Sequence, residues 1–235
     1  MTTKGVLLSA TACAVLLIAG CGGSDGSSKS DNAPSTPRDQ LVLVESEFPA
    51  GAKKMDIPQD KLQTSLAGTT GSLANATVTP EDCRGPKVDL AAAANDMLAK
   101  STFSVASTPD LTNYVDYVSG TAMDLSKMAD NYAKCPEVKV TTTGSGDPVD
   151  TTTKFEKLTV PGALAGTGAL AYRSSSSSSV AGSGFPISQT TYEGYATLRG
   201  VTVGVRATSL GSSVPDQAVF DKFFTAAVQK VQNAK

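Results

Sequence analysis

Two runs, Thr190 to Leu198 and Val201 to Thr208, separated only by Arg199 and Gly200, constrain this chain more than anything else in it. With Arg199-Gly200 as a two-residue turn, Leu198 pairs with Val201, Ala196 with Val203, Gly194 with Val205 and Tyr192 with Ala207, so the aliphatic residues share one face. The other face then sets Glu193 opposite Arg206, Thr197 opposite Thr202, and Tyr195 over Gly204. Side chains alternate with period two, so a slip of one residue would scramble both faces and the register is strongly specified. The aliphatic face needs a cover. Ser213 and Asp216 bracket Pro215 at a helix start, and Phe220, Phe223, Phe224, Ala227, Val228 and Val231 follow as one apolar stripe. A helix with three phenylalanines on one side must lie on the sheet.

The rest of the chain reads as an α+β pattern. Asp39 to Phe48 brings the first apolar residues and fits a short helix or strand, Lys53 to Ile57 fits a strand, and Asp60 to Leu66 a short helix. Thr79-Pro80-Glu81-Asp82 has the form of a helix start with Thr79 as N-cap and Pro80 in first position. Val88 to Lys100, with four consecutive alanines, has high helix propensity. Thr102 to Ala106 and Leu111 to Val118 read as strands, the second because its Thr, Tyr and Val content favours a pleated surface. Thr121, as N-cap, leads an amphipathic helix with Leu125, Met128, Ala129 and Tyr132 on one face, ending near Cys135-Pro136. Glu137 to Thr143, Thr151 to Val160 and Ala165 to Arg173 read as strands, with Pro161-Gly162 as a type II turn. Ser174 to Ser179, six serines in a row, reads as a mobile low-complexity loop. The expectation is an antiparallel sheet of about six strands with helices packed on one face and one disulfide.

Composition removes several chemistries. There is no histidine, which excludes Ser-His-Asp and Cys-His catalysis, His-bearing zinc sites and imidazole pH sensing. Carboxylate chemistry, Ser-Lys pairs and calcium survive that filter. Yet Gly144-Ser-Gly-Asp147 lacks the alternating ligands of an EF-hand, and Gly166-Thr-Gly168 lacks the third glycine of a dinucleotide loop. The acid pairs Glu81-Asp82 and Glu45 with Glu47 read as solvated faces rather than a glycosidase dyad. Nothing here points to a cofactor, a metal or an enzyme.

Met1 to Gly20 carries Lys4, then an apolar run from Val6 to Ala19, then small residues before Cys21, the layout of a signal peptide. The run is shorter than the roughly 18 to 20 residues that span a bilayer as a helix. Leu17-Ile-Ala-Gly-Cys21 resembles the lipobox of bacterial lipoproteins, which implies a thioether-linked lipid on Cys21, often with N-acylation, and Cys21 as the mature N-terminus. Each buried acyl methylene contributes about 0.8 kcal/mol, so two or three chains anchor stably. The expected organisation is a signal peptide over 1–20, lipid anchor and flexible tether over 21–38, and one extracytoplasmic domain over 39–235. The tether, rich in Gly, Ser, Asp, Asn and Pro, has a reach of roughly 20 to 25 Å. Without Lys4 the chain has 19 basic and 22 acidic residues, and this lack of basic surplus argues against nucleic acid as a partner.

With Cys13 removed and Cys21 acylated, Cys83 and Cys135 remain. Outside the membrane and with no metal-ligand partners near them in sequence, they are expected to form a disulfide, a catalytic thiol being the rival. Closing that loop contributes roughly 4 kcal/mol in the chain-entropy picture.

At Glu47-Phe-Pro-Ala-Gly51, Thr79-Pro-Glu-Asp-Cys83 and Met123 to Val140, the chain resembles small mycobacterial and related actinobacterial lipoproteins of unknown function. Those are similar in layout to the extracellular sensor domain of PknH-type kinases. The resemblance implies an α+β domain with an antiparallel sheet and a ligand-binding cleft, and it brings no catalytic residues. The kinase sensor has two disulfides where this chain can make one. The expected function is a non-catalytic ligand-binding or sensory module on the outer face of the cell membrane. It would be held there by its N-terminal lipid and would serve an envelope ligand or protein partner. A lipid or glycolipid carrier with an apolar cavity, and a histidine-free envelope hydrolase, are the alternatives.

Overall fold

A computed structural model describes residues 33–58, 61, 76–84, 90–143, 147–180 and 186–235. In chain order its elements are helix α1 (Arg38–Leu41), strands β1 (Lys53–Met55) and β2 (Thr77–Thr79), helix α2 (Leu90–Lys100), strands β3 (Ser101–Ser107) and β4 (Asn113–Ser119), and helix α3 (Leu125–Lys134). Strands β5 (Glu137–Thr142), β6 (Val149–Lys157), β7 (Leu170–Val180), β8 (Ile187–Leu198) and β9 (Val201–Leu210) follow, and helix α4 (Gln217–Gln232) closes the chain. All pairings are antiparallel, and the nine strands form one sheet in the order β1-β3-β4-β9-β8-β7-β6-β5-β2.

The central hairpin has the expected register, from Leu198 opposite Val201 to Tyr192 opposite Ala207. Arg199 and Gly200 both have left-handed φ, 51° and 74°, the conformation a tight two-residue hairpin turn demands. Helix α4, capped by Asp216 accepting from Val219 N–H at 3.0 Å, lays Phe220, Phe223, Phe224, Val228 and Val231 on Val203, Val205 and Ala207. Gly194 lets it approach, since a Cβ there would lie 2.8 Å from the Phe224 ring. Leu41, Leu43 and Phe48 from the N-terminal segment complete this core.

The structure corrects the expected architecture in several places. Among the described residues the sheet has nine strands, not about six; β1 and β2, three residues each, are edge strands too short to show a period. Helices cover both faces, not one. Because successive residues alternate, Tyr195 and Glu193 point away from Gly194, and that second face packs Tyr117, Leu170, Tyr172 and Tyr195 against Leu125, Met128 and Tyr132 of α3.

Ser174 to Ser179 is strand, not loop: it lies in the middle of β7, laddered to β6 on one side and β8 on the other. Its hydroxyls face threonines, Ser176 to Thr153 at 3.0 Å and Ser178 to Thr151 at 2.9 Å. Two flanking ladders override the weak intrinsic preference of serine.

Several local starts also move. Thr79 belongs to β2, paired with Lys139, so it is no N-cap; Pro80, after a cis peptide bond, leads only a 3-10 turn over Glu81–Cys83. Helix α3 is capped by Asp124, not Thr121, because the Thr197–Thr202 pair holds 121–123 extended. Thr202 donates its hydroxyl to Thr121 C=O and accepts from Met123 N–H, both at 2.8 Å, while Thr197 donates to Met123 C=O at 3.0 Å. Gly162 starts a 3-10 turn that buries Leu164 and does not take the left-handed φ of a type II turn. The next strand accordingly begins at Leu170. The signal peptide, Cys21 and most of the 21–38 tether lie outside the described residues, as does the 60–66 helix apart from Lys61.

Candidate functional site

Glu193 is the most enclosed charged side chain of the second face, with 1% of its surface exposed. Strand β8 aims it at α3, and β9 brings Arg206 directly opposite. Arg206 Nε lies 3.3 Å from Glu193 Oε1, an ion pair without an aligned hydrogen bond. The other carboxylate oxygen accepts from Tyr132 O–H at 3.0 Å and from Tyr195 O–H at 3.1 Å. Tyr132 reaches in from α3 and stacks on Tyr172 with ring centroids 4.1 Å apart. Its other ring neighbour is Phe155, edge-on. On the far side of Tyr195, Tyr117 occupies the space over Gly204, where a Cβ would come within 2.2 Å of its ring.

Burial and then the Glu193 charge push both phenols, Tyr132 and Tyr195, well above their ordinary range, so each stays a donor. For Arg206 burial opposes the charge, but the Glu193 carboxylate, helped by Tyr195, Tyr132 and Tyr117, outweighs it and raises the pKa. A buried carboxylate holding an arginine and two phenols is a closed arrangement. One carboxylate oxygen takes both phenols and the other faces Arg206 without a hydrogen bond, and the Tyr132 bond docks α3 onto the sheet.

A second buried acid sits on the opposite face. Asp116 is fully buried on β4, and its Oδ2 accepts from Leu43 N–H at 2.6 Å while Oδ1 has no hydrogen-bond partner. Next to it, Ser104 donates to Leu43 C=O at 2.8 Å. The two side chains pin the N-terminal segment across the sheet, and Lys230 of α4 closes over it by donating to Glu47. Burial raises the Asp116 carboxyl to about 7, with the Leu43 hydrogen bond and Lys230 working against that rise and Glu47 adding to it.

Cys83 and Cys135 form a disulfide with Cα atoms 5.7 Å apart, joining the turn after β2 to the end of α3. The acid pairs are dispersed as surface contacts: Glu45 faces Lys53 at 3.7 Å, and Glu47 turns to Lys230. Glu45 and Lys53 also line an open depression of about 550 Å³ walled by 44–53. Gly166 and Gly168 take left-handed φ in a turn before β7. Among the described residues no group of three or more His, Cys, Asp and Glu is placed to hold a metal ion.

Sequence reasoning set Glu193 against Arg206 but did not bring in Tyr132 or Tyr172, and it did not single out Asp116. A signal for Asp116 was present. In Tyr114-Val-Asp-Tyr-Val118 the aspartate alternates in phase with Tyr114 and Val118, both core residues, so it falls on the buried stripe.

No protein-family model matches this chain, and no curated protein does. Among solved structures, an uncharacterised protein from Mycobacterium smegmatis, the Rv0999 ortholog, is similar over 80% of this chain and 92% of that one, at 14% identity and a TM-score of 0.43.

Proposed function

We propose that this chain is a lipid-anchored cell-envelope protein whose domain is a non-catalytic binding or sensory module on the outer face of the cell membrane. The observation that carries the non-catalytic reading is the closed state of the Glu193 cluster. A general acid or base must be within reach of a substrate. Glu193 is instead 1% exposed, with Tyr132 and Tyr195 bonded to one carboxylate oxygen and Arg206 facing the other beneath α3. The anchor rests on Leu17-Ile-Ala-Gly-Cys21, and the disulfide suits an oxidising compartment. A layout like that of small actinobacterial lipoproteins and of PknH-type sensor domains belongs to the same proposal.

Native mass spectrometry of the full chain purified from its own envelope, beside Cys21→Ala and a solvent-extracted control, tests it. The reading expects diacylglyceryl or triacyl mass increments on the wild type, none on Cys21→Ala, and loss of the variant from the membrane fraction. An unlipidated wild-type chain would sink the anchor. Turnover of an envelope substrate by the purified chain would sink the non-catalytic reading.

A further inference from the structure

Leu43 is where the N-terminal segment is fixed to the sheet. Its N–H donates to Asp116 Oδ2 at 2.6 Å and its C=O accepts from the Ser104 hydroxyl at 2.8 Å, so side chains hold both of its backbone groups. Ser104 on β3 and Val205 on β9 are the cross-strand neighbours of Asp116. Among the described residues no strand pairs with 38–48, so this strap crosses the sheet without a ladder of its own. Arg38 ties its start by donating to Lys100 C=O, and Glu47 ties its end by accepting from Lys230 of α4. Within it Leu41, Val42, Leu43 and Phe48 are buried.

The fastening is incomplete at one atom. Asp116 is wholly buried, and its Oδ1 has no hydrogen-bond partner. A neutral carboxyl tolerates that at modest cost, whereas an ionised one needs a donor or water at the bare oxygen. The charged groups that face it are Lys230 from α4 and Glu47 from the strap, and Lys230 is bonded to Glu47 rather than to Asp116. From β3 and β9 it meets Ser104 and Val205, neither of which titrates. The strap is the element bonded directly to this carboxyl, and without a ladder it is the cover that yields when the carboxyl draws water.

We propose that residues 38–48 form a proton-controlled latch, closed while Asp116 carries a proton and opening more often once it is ionised. The signal is the proton, and the moving part is the segment that joins the domain to its tether. In a chain without histidine, Asp116 takes the part an imidazole would otherwise play. Burial brings its titration to about 7 against the Leu43 hydrogen bond and Lys230, with Glu47 assisting. The closed form holds the proton more tightly than the open form. Closure is therefore favoured most below about pH 4, weakens as the pH rises, and stops weakening above about 7. The buried apolar residues keep the open form a minority throughout, and the proton sets how often it appears. Each opening adds 39–48 to the 22–38 tether, extending a root-mean-square reach of roughly 20 to 25 Å to roughly 26 to 31 Å. This deepens the sensory reading of the domain, and its consequence for the tether rests on the lipid anchor.

The test is amide hydrogen exchange of the full chain purified from its own envelope, read between pH 5 and 9 and normalised to the intrinsic exchange rate at each pH. Protection of the Leu43 amide should fall about tenfold per pH unit from 5 toward 7 and then level off. At every pH it should also lie at least about tenfold below that of Val203 and Val205 in β9, because the strap opens without the sheet. Asp116→Asn should show no such fall. Carbon-13 titration of the Asp116 carboxyl in the wild type locates the ionisation without any variant, and its midpoint should coincide with the levelling. A midpoint near 4, pH-independent protection of Leu43, the same fall in Asp116→Asn, or equal protection of Leu43 and β9 would each overturn the latch. The latch is read from amides and the lipid from mass, so an unlipidated Cys21 removes the anchor and leaves these outcomes unchanged.

Discussion

Asp116 shows how one residue ties pH to the fold. Its folded-state carboxyl titrates near 7 against about 3.9 for an unperturbed aspartate, so the native state holds a proton that the unfolded chain has already released. Its contribution to stability is therefore fully present below about pH 4 and is lost as pH rises toward 7. At about 1.4 kcal/mol per unit the loss amounts to at most roughly 4 kcal/mol. Denaturant titrations of wild type and Asp116→Asn at several pH values should show that decline in the first only; parallel curves would remove Asp116 as the cause. Gly204 tests packing at the same scale. A Cβ there would sit 2.2 Å from the Tyr117 ring, which is buried and has little room to yield, so Gly204→Ala should destabilise by about 1 to 3 kcal/mol in chemical denaturation.

At the scale of elements, α3 is fastened to the sheet by Glu193 as much as by its own apolar face. Glu193→Ala removes the acceptor of two phenols and leaves Arg206 without its buried counter-charge, and loss of one partner of such a pair typically costs about 3 to 5 kcal/mol. Tyr132→Phe deletes one donor, keeps the ring stack on Tyr172, and should cost about 1 to 2 kcal/mol. Thermal melts of the two variants should rank in that order, and equal losses would mean that the Tyr132–Glu193 hydrogen bond, rather than the ion pair, holds the helix. Strand β7 carries the opposite lesson. Its six serines have no apolar alternation to announce a strand, and they became one because β6 ladders all six and β8 ladders Ser174 to Ser178.

Over the whole molecule, the Cys83–Cys135 disulfide spans 52 residues and connects the turn after the edge strand β2 to the C-terminal end of α3. In the chain-entropy account a loop of this length contributes roughly 4 kcal/mol, and engineered bridges often give less. The pair Cys83→Ser and Cys135→Ser should therefore lower the unfolding free energy by about 2 to 4 kcal/mol while the near-ultraviolet circular dichroism signal persists. Loss of that signal at low temperature would show that the bridge is needed for the fold itself. The two-sided architecture also belongs to this scale. One face buries an aliphatic and phenylalanine core under α4, and the other buries tyrosines around an ion pair under α3.

What the chain's own order determined was local and periodic. The Thr190–Thr208 hairpin was readable with every pair in place, because alternation and a two-residue turn specify a register without help from elsewhere. The α4 stripe and the Cys83–Cys135 pairing were readable for similar reasons, a fixed helical spacing and an elimination among four cysteines. Only the tertiary structure decided that Tyr132 would reach Glu193 across 61 residues, that Leu43 would bond Asp116 across 73, and that the serine run would be a strand. Those outcomes depend on which distant segment arrives to exclude water and supply a partner. A charged or polar residue has the same letter in the sequence whether it meets solvent or a buried counterpart.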